Sequence, residues 1–445
     1  MKRRAVLQTS GVAGLSLSIP GVVGTVRGQA TIEPLGRLPI TGAAEAVVGD
    51  DGETAYVSAT FGFATVDVSD PAEPTLLAVD RDIQLEGETM TEILDVSVDG
   101  DLLVVAGPAN QRSSVAGFRC YDVSDPENPE PVGEHRTGYH VHNCYLEDES
   151  LYVVENGEER NRLVIFDVGG DDISQIGAWS LLDHEPGWRD VHWLARYIHD
   201  VYVQDGIAYL PCWNAGTYLL DVSEPTEPAS ISHVRDTTLE AERAIDDWRD
   251  AVYGLPGNDH YAAVNDGGDL MAVGREAWAT GGAEPDRPGG IDLYDVSDSA
   301  APVHRGSIDA PRADDESKPG GMWTTSHNFE LRDGRLYSSW YRAGVKIHDV
   351  SDPAAPELLA EWRNTEETGF WTARVLEPGE TFIASSTEGI PNTSLEGALY
   401  TFPTEPAPVG GADGNDPIPG FTGVAGLAGG AVALEWLRRR GNVQD

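Results

Sequence analysis

Four histidines stand six residues ahead of an aspartate in the next turn: His142 (HNCYLED), His199 (HDVYVQD), His260 (HYAAVND) and His327 (HNFELRD). The same offset falls on Ala44, Ile93 and Thr372 in three further segments, and a one-residue slip brings in Leu94. Each motif opens a short run that alternates apolar and polar residues before its Asp turn, the pattern of a half-buried strand. Neutral imidazoles brought together suit Zn, Cu or Fe(II), because His is the commonest side-chain ligand of such ions. Asp200, next in the chain after His199, is a candidate to orient one ring or complete the shell. A structural reading competes. A histidine at the start of an inner strand can hydrogen-bond a backbone carbonyl of its neighbour, and duplication alone would copy it.

The histidines recur because the chain repeats. TVDVSDPAEP from Thr65 returns as CYDVSDPENP from Cys120, IFDVGGDD from Ile165 and LLDVSEPTEP from Leu219. It returns again as LYDVSDSAAP from Leu293, IHDVSDPAAP from Ile347 and, degraded, as LYTFPTEP from Leu399. A period of this length marks a supersecondary module that buries its apolar face on its neighbours. One unit reads as four strands: HNFELRDG, RLYSSW, GVKIHDV and, after the SDPAAP turn, ELLAEW. Four short antiparallel strands make a propeller blade. The seventh unit lacks a fourth strand, and IEPLGRL (Ile32–Leu38) resembles the fourth strand of unit two. The expected fold is therefore all-β, a seven-bladed β-propeller closed by an N-terminal strand, so that no sheet edge is left open.

LVIFDV (Leu163–Val168), TYLLDV (Thr217–Val222) and VKIHDV (Val345–Val350) resemble the LVIVD-repeat family of β-propellers, over roughly residues 31–405. The resemblance implies the fold and is nearly silent on activity, since propellers host unrelated functions. Two insertions lengthen the middle units. Ser180–Tyr197 is rich in Trp and His. Thr237–Val252 reads as one helix, with Thr237 and Glu240 as a capping box and Ala241, Ile245, Trp248 and Val252 on one face. Packing on the propeller is the plain role for that face, and a lid over the channel mouth is the functional one.

Residues 1–30 read as an export signal, with Arg3-Arg4 resembling a twin-arginine motif. Residues 406–420 form a Pro/Gly/Asp linker, and 421–445 follow Pro419-Gly420-Phe421, which resembles the sorting tail of archaeal surface proteins. Together these place the expected propeller on the outer face of the cell, held to the membrane at its C-terminus. A formal charge of −44, with only Lys2, Lys318 and Lys346 as lysines, argues against nucleic acid as a partner. Multimolar salt screens such charge within about 3 Å, which points to a haloarchaeal source. Asn392-Thr393-Ser394 is a glycosylation sequon. Cys120, Cys144 and Cys212 are expected as buried free thiols. The Asp-Val-Ser-Asp-Pro turns are explained by side-chain capping rather than by calcium. No P-loop, nucleophile elbow, dinucleotide fingerprint or His-Glu-x-x-His helix occurs.

Two functions are expected from this pattern. The first is a monomeric, surface-anchored scaffold that binds an extracellular protein or small ligand. The second is a metal-dependent enzyme, oxidoreductase-like, with His142, His199, His260 and His327 around one transition metal.

Overall fold

The computed structural model describes residues 30–405 except 111–114, 171 and 283. Arg3, Arg4, the linker and Pro419-Gly420-Phe421 lie outside the described residues. Seven four-stranded antiparallel sheets follow one another as blades: 46–80, 95–136, 144–180, 202–234, 259–308, 329–362 and 370–403. Blade seven takes its fourth strand from the N-terminus, where Gly36–Pro39 pairs antiparallel with Ala398–Pro403. The closing strand expected from sequence is thus in place. A short pairing was not expected: Ala30–Thr31 runs parallel to the outer strand of blade six.

The repeated aspartate builds its turn from its own side chain. Asp67 Oδ1 accepts from the backbone N–H and the hydroxyl of Ser69, at 2.9 and 2.6 Å. Asp221 with Ser223 and Asp349 with Ser351 repeat the arrangement. Such capping accounts for the motif without a cation. The same turn also clasps the preceding blade. A Cβ on Gly177 of blade three would lie 1.9 Å from Pro225 O of blade four, so only glycine allows that approach. Where the outer joint is polar, Thr65 Oγ1 donates to Pro126 O at 2.6 Å and Ser232 Oγ to Ser299 O at 2.6 Å.

At the seam between blades seven and one, a Cβ on Gly36 would lie 2.5 Å from Pro74 Cδ and 2.6 Å from Pro71 O. Gly36→Val is accordingly expected to destabilise the protein by about 1–3 kcal/mol through overpacking. Urea unfolding at fixed salt checks this, and an unchanged midpoint would show that the seam carries no strain.

The largest apolar cluster lies between blades three and four, where Leu181, Leu182 and Trp188 of the first insertion join Ala251 and Val252 of the second. The first insertion folds as a short helix, Leu181–His184, and two 3-10 turns, Pro186–Asp190 and Trp193–Arg196. The second is two helices, Leu239–Arg243 and Trp248–Tyr253, rather than the single helix expected. Asp247 breaks it, because its side chain caps a new helix by accepting from Arg249 N–H at 3.0 Å. The first helix is capped by Thr238, not Thr237, whose hydroxyl instead donates to Glu242 at 2.8 Å. Ala241 and Ile245 are exposed, so the expected apolar face survives only from Trp248 onward. Among the described residues no helix is long and apolar enough to cross a membrane.

Candidate functional site

The innermost strand of each blade runs from the histidine level to an Asp-bearing or Pro-bearing turn. Blades three to six bring their histidines into one arc. Ring centroids are 4.3 Å apart for His142 and His199, 3.8 Å for His199 and His260, and 4.4 Å for His260 and His327. Trp371 of blade seven continues the arc, 4.2 Å from His327. Leu94 supplies the blade-two position, and together these residues surround a cavity of about 10 Å³, room for a single small ion or water. Trp371 takes the place expected of Thr372, because a bulge between Phe370 and Thr372 shifts the register by one.

The four imidazoles are not equivalent. His142 Nδ1 faces Ala109 O at 3.2 Å and His327 Nδ1 faces Trp371 O at 2.6 Å. Both therefore carry the proton on Nδ1, which leaves Nε2 as the unprotonated nitrogen. His199 Nδ1 and His260 Nδ1 are buried without a partner. Ligand atoms of His199, His260 and Glu276 lie within 4.8 Å of one another. The convergent set is thus two of the four expected histidines plus a carboxylate the sequence reading missed. Glu276 is 8 % exposed and accepts from Tyr341 Oη at 2.5 Å. Burial holds its carboxyl above the usual range, opposed by the nearby Lys318 and by the Tyr341 hydrogen bond. The Lys318 ammonium lies over Trp278 at 3.9 Å and Tyr253 at 4.4 Å, a cation–π setting.

Burial keeps the arc neutral. It pushes His142 down to about 4 and His327 down to about 3, and holds His199 and His260 well below the usual histidine value. Neutral rings are the ligating form. Aromatic rings close this end of the channel: Trp213 of blade four stacks on His199 at 5.4 Å, and Tyr197, at the end of the first insertion, sets its edge 5.8 Å from His142. Trp213 is itself held by Val252 O at 3.0 Å, and Asn214 bonds Glu242 at 2.9 Å. The helical insertion therefore packs on the propeller and buttresses Trp213, the ring that stacks on His199. His140 also joins the cover through Tyr197 Oη at 2.8 Å, and His192 stacks on Trp248 at 4.9 Å.

Asp200 does not orient a ring. Its carboxylate accepts from Asn143 Nδ2 at 2.9 Å and from Val201 N–H at 2.7 Å. Its side chain forms part of the wall of the small cavity without bonding an imidazole. It belongs to the next layer down the channel, with Glu45, Asp95, Asn328 and Arg374. Burial and then Glu45 push Asp95 up to about 8. The folded state therefore binds a proton that the unfolded state releases near pH 4, and stability falls as pH rises between those values. Asp95→Asn keeps an oxygen for the Cys144 N–H and carries no such proton. It is expected to exceed the native protein in stability by more than about 1 kcal/mol at pH 9 and to match it below pH 4. Unfolding midpoints that move together at both pH values would contradict this.

The remaining predicted positions are separate from the arc. Asn392 is exposed in a turn. Cys120, Cys144 and Cys212 are free and buried, as expected.

The LVIVD repeat matches residues 51–79 and 195–236. The second match includes His199 and the strand Tyr202–Gln204 that follows it, so the matched stretch itself delivers one imidazole of the arc. In fold the chain is similar to the β-propeller domain of Cps50 (Swd1) from Myceliophteria thermophila, with a TM-score of 0.56 at 9% identity. That likeness covers 83% of this chain and 99% of the other. A protein from Lactobacillus plantarum is similar at TM-score 0.50 and 11% identity, over 74% and 85% of the two chains. No curated protein matches the chain.

Proposed function

We propose that this LVIVD-repeat propeller is an exported surface protein that binds one transition-metal ion between His199, His260 and Glu276. The observation that carries the reading is the convergence of those three donors within 4.8 Å, beside two buried imidazole nitrogens with no other partner. Buried polar atoms without partners are costly, and a bound ion supplies what they lack. Two N donors and a carboxylate leave at least one position of a four-coordinate ion free, the arrangement of a reactive rather than a closed site. His142 and His327, each fixed by a backbone carbonyl, flank the His199–His260 pair on either side of the arc. Zn, Cu and Fe(II) are the matching ions.

The surface role rests on other features. Acidity, the Arg3-Arg4 leader and the Pro419-Gly420-Phe421 tail support an extracellular, membrane-held protein of haloarchaeal origin. The cavity of about 710 Å³ at the open end of the channel is the surface such a protein offers to an extracellular protein or small ligand. Mass spectrometry of native and His199→Ala/His260→Ala protein, purified in high salt without chelators or a histidine tag, tests the metal. Near-stoichiometric metal lost in the variant is expected. A protein that stays metal-free after exposure to Zn and Cu would return the histidines to a structural role.

A further inference from the structure

The two ends of the channel differ, and the difference bears on how an ion reaches the imidazoles. At the histidine end Tyr197, Trp213, Tyr341 and Trp371 pack their rings around the arc. At the other end, where the inner strands finish in their turns, a cavity of about 710 Å³ opens. The large cavity and the small one between the imidazoles share Asn143, Asp200 and Asn328 in their walls. One layer of side chains is all that separates them.

That layer is built for a cation. Glu45, Asp95 and Asp200 come from blades one, two and four and are 3 %, 5 % and 4 % exposed. Arg374 pairs with Glu45 at 2.8 Å and leaves the other two carboxyls without an ion-pair partner. Asn328 gives its N–H to Glu45 at 2.8 Å, and its carbonyl oxygen, on a side chain 2 % exposed, has no partner. Carboxyl and amide oxygens of this kind are ligands for a passing divalent ion, which displaces any proton they hold. Asp50, Asp205 and Asp266 stand further out on the lining. Seven carboxyl side chains line the cavity against Arg332 and Arg374, and a cleft with an excess of one sign of charge concentrates the opposite ion.

The geometry points to the channel as the route by which a divalent transition-metal ion reaches His199 and His260, staged on the Glu45–Asp95–Asp200 layer. This rests on the metal reading above, and the test separates the two. Val98 lies on the inner strand of blade two, lines the large cavity and is partly exposed. Val98→Cys gives a thiol there, whereas burial holds the thiols of Cys120, Cys144 and Cys212 up and out of reach. Metal-free full-length Val98→Cys is mixed with Co(II), with and without a bulky maleimide on the new thiol, and the cobalt absorption is followed. The unlabelled protein is expected to load as fast as the native chain. The labelled protein is expected to load at least ten-fold more slowly and to reach the same cobalt content. Equal rates with and without the label would overturn the route and leave the site standing. Failure of every form to bind Co(II) would overturn the route together with the site.

Discussion

Arg374→Met is expected to destabilise the propeller by about 3–5 kcal/mol, because it strands a buried carboxylate. Arg374 reaches Glu45 at 2.8 Å, Tyr261 Oη at 3.0 Å and Phe329 O at 2.6 Å. These bonds tie blades one, five, six and seven across the channel. Without the guanidinium, Glu45 joins Asp95 and Asp200 in a layer that holds no neutralising charge. The double variant Arg374→Met/Glu45→Gln removes both charges and is expected to recover most of the loss, since an apolar or neutral replacement for a buried pair is often nearly neutral. Chemical unfolding at constant high salt measures each form. A double variant as unstable as the sum of its singles would mean that packing, not charge, explains the effect.

Glu276→Gln is expected to weaken metal affinity by about 100-fold or more, beyond the 10–100-fold that groups outside the ligand shell carry. The substitution keeps an oxygen for the Tyr341 hydroxyl and removes the charge that a cation would meet. It also removes the carboxylate that faces Lys318, so two roles can be told apart. If Glu276 only balances Lys318, the variant loses stability and binds Zn(II) as well as the native protein, as isothermal titration would show. If Glu276 is a ligand, affinity collapses while the fold stays close to native stability.

Much of the architecture was legible because each repeat signs its own turn. The Asp-Val-Ser-Asp-Pro phrase fixes the end of every third strand, and counting back from it gives the inner strands and their histidines. The missing fourth strand of unit seven was readable for the same reason, since IEPLGRL had no other blade to complete. Leu94 was within reach as a one-residue slip. Trp371 was not, because a bulge is a local change of register with no mark in the composition. Glu276 and Lys318 lay hidden for a different reason. They sit at a strand end and in a long loop, outside the repeated phrase; Glu276 comes beside His260 through the pairing of the first two strands of blade five, and Lys318 through the loop that follows that blade. One signal did point to Lys318: a chain with almost no lysine keeps one there. The helical insertion misled through periodicity. Ile245 matched the helical spacing, yet Asp247 restarts the helix and leaves Ile245 exposed. Asp200 follows His199 in sequence, yet its carboxylate is taken by Asn143 and the Val201 N–H.

Anomalous diffraction from crystals of the native protein soaked in Co(II), recorded on both sides of the cobalt edge, tests the metal site most directly. The account predicts one strong peak within bonding distance, about 2.0–2.2 Å, of His199, His260 and Glu276. Peaks confined to the outer aspartates, or no peak at all, would contradict it and leave a propeller whose histidines serve its packing.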